Sequence, residues 1–454
     1  MSLFSLCSHE AHHERGRAFP VPVLCVLCLA IGCVALGVIS VSDHAFARAL
    51  SEEELEQRRQ ADEKRRLERE KRREAQGRTP LKAPVHAVHT IGILVREKDI
   101  PPALSNLDPI IQREGFYGAQ IAIEDNNTTG VFIGHDYRLE EVFVPLEDDV
   151  VASFRQLAQK TDYILLAVEK ETLLTLADTE EAQGKILFNI SARDDTLRND
   201  ACRPNVLHVI PSDAMRADAI IQFLVYKGWK EWLLIRGSEQ DDEAFANALK
   251  RAASKFGGDI VEEKIWDSEA DIRRTAKAEI PLFTKHAPPH DVMLMADVRG
   301  RFGEYVLWNS WRPTLMAGSQ GLVATSWHRT HERWGAAQMQ NRFRRTARRW
   351  MGEWDYAAWV AVRSVGETLT RISKKDAIPS PQDVLAYMQS EEFAIAAYKG
   401  IKVTYRPWNG QLRQPILLAS PRSIVAVAPM AGYLHPLTPL DTLGTDEPLS
   451  TCQP

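Results

Sequence analysis

Four short stretches with almost no polar interruption constrain this chain more than any other feature: DYILLAV at 162–168, KILFNI at 185–190, EWLLI at 231–235 and DVMLMA at 291–296. Each is too short for a core helix and lacks the alternation of a strand with one wet face, so each reads as a strand covered on both sides. The segments around them carry helical spacing. Ser212 stands as an N-cap before a stripe of Ala217, Ile220, Ile221, Leu224 and Val225 that ends at Gly228. Phe245, Leu249, Ala253 and Phe256 stripe a second helix that stops at Gly257-Gly258. Residues 89–95 (HTIGILV) supply an earlier strand, followed by a helix over 117–125, and residues 260–265 supply a later strand. Strands alternating with helices call for parallel sheets with helices on both faces. Two such series, before and after about residue 211, predict two doubly wound α/β lobes joined by a hinge. Asn409-Gly410, between strand-like 399–407 and 411–419, predicts a hairpin, and residues 420–454 read as an irregular tail rich in Pro and Ser/Thr.

Charge is spread unevenly. The net −5 over 454 residues argues against a nucleic-acid partner, whose phosphates need a strongly basic surface. Residues 51–78 hold 10 Lys/Arg and 9 Asp/Glu, with Leu55 and Leu67 the only large apolar side chains. Opposite charges at Glu54/Arg58, Asp62/Arg66 and Glu68/Arg72 support a helix with no face to bury. A solvated helical spacer fits better than a partner-binding helix. The body after residue 78 keeps 43 basic against 49 acidic side chains.

The N-terminus reads as an export signal. Arg15 and Arg17 precede an uncharged run at 23–41, and Ala45-Phe46-Ala47 follows as a small-x-small cleavage site. The run is also just long enough to span a bilayer, which keeps an uncleaved anchor open as the alternative. Lipidation at Cys33 is only weakly signalled. Each option puts the body outside the cytoplasm, in the periplasm. Cys7, Cys25, Cys28 and Cys33 fall in the segment that cleavage removes, and Cys202 and Cys452 remain. Two cysteines in an oxidising compartment invite one disulfide, with two unpaired thiols as the alternative.

Chemistry-bearing motifs are missing. Val95 leads into Arg-Glu-Lys-Asp-Ile-Pro-Pro rather than a glycine-rich turn, and there is no Walker loop, Gly-x-Ser-x-Gly elbow or His-Glu-x-x-His helix. No enzyme activity, metal or cofactor is therefore expected. The pairs His328/His331 and His286/His290 lack a nearby third ligand. Arg342, Arg344, Arg345, Arg348 and Arg349 could meet phosphate, but a solvated helix face explains them more simply. Trp354 falls on an apolar helical stripe, whereas Trp308, Trp311 and Trp327 sit near strand ends, where they serve either a pocket or lobe packing.

Several strings resemble a known family. Ile91-Gly92-Ile93, Gly118-Ala119-Gln120 with Asp125-Asn126 and Gly130, Leu207-His208-Val209-Ile210-Pro211-Ser212, Tyr226-Lys227-Gly228-Trp229-Lys230 and Ala317-Gly318-Ser319-Gln320-Gly321-Leu322 are similar to the type I periplasmic binding proteins of ABC transporters, the Leu/Ile/Val-binding group in particular. Phe302-Gly303-Glu304-Tyr305, Gln320-Gly321-Leu322-Val323, Asp355-Tyr356-Ala357-Ala358-Trp359 and the run from Arg406 to Pro415 resemble a subfamily linked to pyrroloquinoline-quinone (PQQ)-dependent alcohol oxidation. The resemblance covers residues 89–419. It implies 85–211 with 327–399 as the first lobe and 212–326 with 400–419 as the second, after a signal segment (1–47) and the spacer (48–84).

The same resemblance implies a ligand site. In amino-acid binders a Ser after the third strand and a turn after the fourth hold the ligand's carboxylate and ammonium. Here those places fall at Glu169-Lys170 and Ser191-Ala192-Arg193-Asp194, and the second-lobe positions fall at Asp297 and Gln320. Charged groups replace the small hydroxyl cradle, so a free branched-chain amino acid is a poor ligand. The expectation is a substrate-binding component that closes on a small molecule and docks an inner-membrane permease. The alternative is a sensor or accessory protein of a quinoprotein alcohol dehydrogenase.

Overall fold

The computed structural model describes residues 85–452, apart from 100–102, 106–109, 269 and 375–376, together with eight residues between 60 and 72. Those eight are helical and exposed. The expected signal segment, residues 1–47, lies outside the described residues, as does most of the spacer. No helix among the described residues is long and apolar enough to cross a membrane.

The first sheet is wholly parallel, in the order β2-β1-β3-β4-β5, from β1 (Ala87–Arg96), β2 (His135–Val144), β3 (Tyr163–Ala167), β4 (Ile186–Asn189) and β5 (Val206–His208). Strands β3 and β4 are buried along their whole length, as continuous apolar runs require. Strand β2 carries Arg138, Glu140 and Glu141 and is apolar in succession only at its end, Val142 to Val144, as an edge strand allows. Helix α1 (Phe116–Ile133) covers one face, with α2 (Val150–Ala158) and α3 (Lys170–Ala177) on the other. A late helix, α9 (Glu353–Ile372), returns to pack on α1. The two backbones approach so closely that a Cβ on Gly118 would lie 1.8 Å from Asp355 O, and one on Gly366 would strike Asn126.

In the second sheet, β6 (Glu231–Gly237), β7 (Asp259–Trp266), β8 (Val292–Ala296), β9 (Leu315–Gly318) and β10 (Leu322–Thr325) run parallel. Helices α4 (Asp213–Tyr226) and α5 (Gln240–Phe256) cover one face, and α6 (Ile272–Thr284) and α7 (Gly303–Asn309) the other. Ser212 Oγ accepts from Met215 N at 3.3 Å, the cap read from the sequence. Two antiparallel strands, β14 (Ile416–Ser420) and β15 (Ser423–Ala428), extend this sheet beyond β10. The region from 420 onward therefore begins as a strand. Its apolar residues pair with β14, and only the chain after residue 428 is free of strands.

The hairpin forms between β12 (Lys402–Tyr405) and β13 (Leu412–Arg413), with β11 (Ile395–Ala396) alongside. Val403, Tyr405 and Leu412 join the first core rather than the second. The third crossing between lobes thus falls near Gln414-Pro415, not at residue 400, because the hairpin's inward side chains face α9. Glutamine amides lace this crossing to the earlier one. Gln411 Nε2 donates to His208 O (3.0 Å) and Ile210 O (3.1 Å), and Gln414 Nε2 donates to Val209 O (2.8 Å).

The tail then returns over both lobes. Asp441 is buried between Arg406 (2.8 Å) and Arg413 (2.9 Å), and Gly444 N donates to Asp218 (2.7 Å), which also pairs with Arg251 and Lys255. A disulfide joins Cys452 to Cys202, which precedes β5 of the first lobe. Disulfides typically stabilise a fold by roughly 2–4 kcal/mol, mainly by restricting the unfolded chain.

Candidate functional site

The loops after β1 and β4 of the first sheet reach the second lobe. Beyond β4, Asp195 Oδ1 accepts from Ala214 N (2.9 Å) at the start of α4. Beyond β1, Leu104 packs against the second lobe's apolar core. There it helps to enclose a cavity of about 480 Å³ with the ends of β6 (Gly237, Ser238, Glu239) and β7 (Trp266–Ser268), the start of α6 and the turn Gly300–Phe302.

This cavity has an apolar floor and a charged rim. Trp266 stacks on Phe302 at 5.6 Å, beside Ile272. Arg301 pairs with Glu239 (2.9 Å) and Arg273 with Asp271 (2.9 Å). Asp242, in the first turn of α5, is almost wholly buried and accepts from Val298 N at 2.6 Å. Burial, reinforced by the negative charges of Asp297, Asp241 and Glu239, pushes its carboxyl up to about 6 despite the Val298 bond. Gly237 makes room for it, since a Cβ there would lie 2.1 Å from Asp242 Oδ2. Near neutral pH this carboxyl can change from donor to acceptor.

The residues expected from sequence divide into two groups. In the first lobe, Lys170 pairs with Asp194 (3.0 Å), Ser191 Oγ donates to Val168 O (2.7 Å), and Ala192 N donates to Asn189 Oδ1 (2.9 Å). Glu169 is exposed at the start of α3. Arg193 pairs with Glu353, yet its buried Nε has no partner. In the second lobe, Asp297 accepts from the backbone N–H groups of Arg301 (2.8 Å), Phe302 (2.9 Å) and Gly303 (2.7 Å). Gln320 Nε2 donates to Asp297 O (2.8 Å). These two residues thus fix the turn that lines the cavity, while the cavity wall itself is made by residues the sequence did not single out, Asp242 and Trp266 above all. No hydrogen bond or ion pair among the described residues joins the two groups.

Between them lies a cluster of buried charge at the crossings. Glu353 accepts from Ser326 N and Oγ, and Lys399 Nζ donates to Ser326 O. Burial lowers the Lys399 ammonium to about 7, although the Glu353 charge opposes the shift. Burial alone would raise Glu353, but Arg193, Arg216 and the Ser326 N–H hold its carboxyl below the usual range. Trp327 belongs to this region, stacked on Tyr356 at 4.7 Å, whereas Trp308 and Trp311 are exposed. His328 meets Thr330 Oγ1 and His331 meets Tyr398 O, and no group of three His, Cys, Asp or Glu suited to a metal occurs among the described residues.

Two α/β lobes, three crossings and a cavity at the strand ends define the fold class of type I periplasmic binding proteins. Comparison with known proteins agrees. Residues 120–309 match the receptor family ligand binding region. A periplasmic binding protein from Burkholderia mallei superposes with a TM-score of 0.56 at 15% identity, covering 80% of this chain and 98% of that one. A branched-chain amino acid ABC transporter periplasmic ligand-binding protein from Burkholderia xenovorans gives 0.58 at 18% identity, over 75% and 95%. A solute-binding protein of an ABC transporter from R. palustris, solved with benzoate, gives 0.53 at 11% identity, over 81% and 99%. No curated protein matches significantly in sequence.

Proposed function

We propose that this protein is the periplasmic substrate-binding component of an ABC transporter. It holds a small organic molecule between its lobes and presents the closed form to a membrane permease, without covalent chemistry. The observation that carries the reading is the cavity against Leu104, which has contributions from both lobes. Only contacts that differ between open and closed forms can drive closure, and Leu104 is placed to make such contacts. A ligand with an apolar or planar body on Trp266 and a hydroxyl or carboxyl toward Asp242 fits the lining. The benzoate-bound neighbour is consistent with such a ligand. A link to PQQ-dependent alcohol oxidation rests on the resemblance of the strings at 302–305, 320–323, 355–359 and 406–415.

A second placement, closer to the crossings, is favoured by the unpartnered Arg193 Nε, with Glu169, Lys170 and Ser191–Asp194 as its wall. Thermal-shift screening of small aromatic acids, alcohols and amino acids tests the function. One compound should raise the melting temperature by several degrees at saturation and be recovered unchanged. A compound consumed by the protein would replace the binding role with an enzymatic one.

A further inference from the structure

The arginine run at the end of α8 (Ala336–Ala347) has two kinds of member. Arg342 pairs with Asp125 (2.7 Å) and Arg349 with Asp355, so both are internal fastenings. Arg344, Arg345 and Arg348 are exposed, and no carboxylate among the described residues pairs with them. Arg329, just past the second crossing, and Arg422, in the β14–β15 turn, are likewise exposed without an acidic partner. Arg344 lies 4.3 Å over the half-exposed ring of Trp350. Trp350, Arg329 and Arg422 line a depression of about 360 Å³, in which Glu332 is the one carboxylate, and Arg329 Nη2 donates to Pro421 O at 2.8 Å.

A solvated helix end accounts for only part of this. Cations at a helix C-terminus complement its dipole, but Arg329 and Arg422 lie outside the helix. Arg348 ends the helix at φ 59, a left-handed position where glycine or asparagine is the usual residue. The body carries more acidic than basic groups, so an uncompensated basic face is not its average surface.

We propose that this face is a docking surface for an acidic segment of a protein partner. Guanidinium forks bind carboxylates in pairs, and arginine with tryptophan is the composition that dominates binding energy at protein interfaces. The depression suits a protruding segment better than a flat bilayer. Trp350 and α8 belong to the first lobe and Arg422 to the second, so the surface is complete at one lobe separation, and a partner seated there favours that separation. This last consequence rests on the hinged-receptor reading, whereas the contact itself does not.

The test is fluorescence anisotropy on the full chain with a labelled hexaglutamate peptide, with hexalysine and phosphatidylglycerol vesicles run alongside. Hexaglutamate should bind saturably and more weakly as salt rises. The Arg344→Glu/Arg348→Glu variant should lose about tenfold in affinity, and Arg422→Glu alone should lose a measurable fraction of that. Lys285→Glu, on the second lobe beside Trp311, should leave binding unchanged. The proposal is overturned if the reversals at 344, 348 and 422 do not weaken peptide binding, or if the vesicles are bound and the peptide is not. Small-molecule thermal shifts measured on the same variants stay at the wild-type value if only docking is affected, which separates this result from failure of the receptor reading.

Discussion

Buried charge is handled differently at the cavity and at the crossings between lobes. At the cavity, Asp242 and Asp297 are held by backbone N–H groups alone. At the crossings and the tail, Glu353 and Asp441 are matched by guanidinium groups, and Lys399 lies close to Glu353. Backbone dipoles hold a carboxylate in place without neutralising it, so Asp242 keeps a charge it can give up or share with a ligand. Opposing charges at the crossings are neutralised internally and set geometry. One region is built to respond, the other to stay fixed.

Removing a fixed charge should cost the most. Asp441→Ala leaves Arg406 and Arg413 buried without their acid and should destabilise by about 3–5 kcal/mol in urea unfolding. Affinity for the ligand should stay near wild type in the folded variant. A loss of affinity as large as the loss of stability would erase the distinction between the regions.

Lys399→Met gives a smaller, pH-dependent effect. Its folded ammonium titrates near 7 and the unfolded one near 10.5. Between those values the unfolded chain holds the extra proton, so wild-type stability rises with pH. Relative to the variant the slope should reach at most about 1.4 kcal/mol per pH unit. A flat difference between pH 7 and 10 would show that Lys399 is not desolvated in solution.

Asp242→Asn tests the responsive region with the narrowest window. The folded carboxyl titrates near 6 and the unfolded one near 3.8. Between these values the folded form keeps a proton that the unfolded form has lost, so wild-type stability falls as pH rises. The slope is again at most about 1.4 kcal/mol per unit, and the variant should lack it. Ligand affinity should also lose its pH dependence around pH 6. Retention of that dependence would move the titrating group elsewhere.

The sequence made the lobes legible because β3, β4, β8 and the centre of β6 are covered on both faces, leaving runs with almost no polar interruption. Strand β2 was not legible, since an edge strand tolerates Arg138 and Glu140, whereas β15 carries a strand composition in Ile424, Val425 and Val427 that the Pro and Ser/Thr of the following tail obscured. The cavity was harder still. Asp242 stands in an acidic first turn with Asp241 and Glu243, and nothing in that run marks which carboxyl turns inward. Trp266 ends a strand that carries Asp259, Glu262, Glu263 and Lys264, and its role depends on Phe302 and Leu104, which are brought there by other segments. Arg193 was accessible because resemblance fixed its place after β4, although its pairing with Glu353, 160 residues away, was not.

Native mass spectrometry of the purified protein tests the central claim most directly. Wild type should retain a small-molecule adduct after gentle purification. Trp266→Ala should lose it, while Arg193→Ala should keep it at least in part. An adduct kept by Trp266→Ala and lost from Arg193→Ala would contradict the account and place the ligand at the crossings instead.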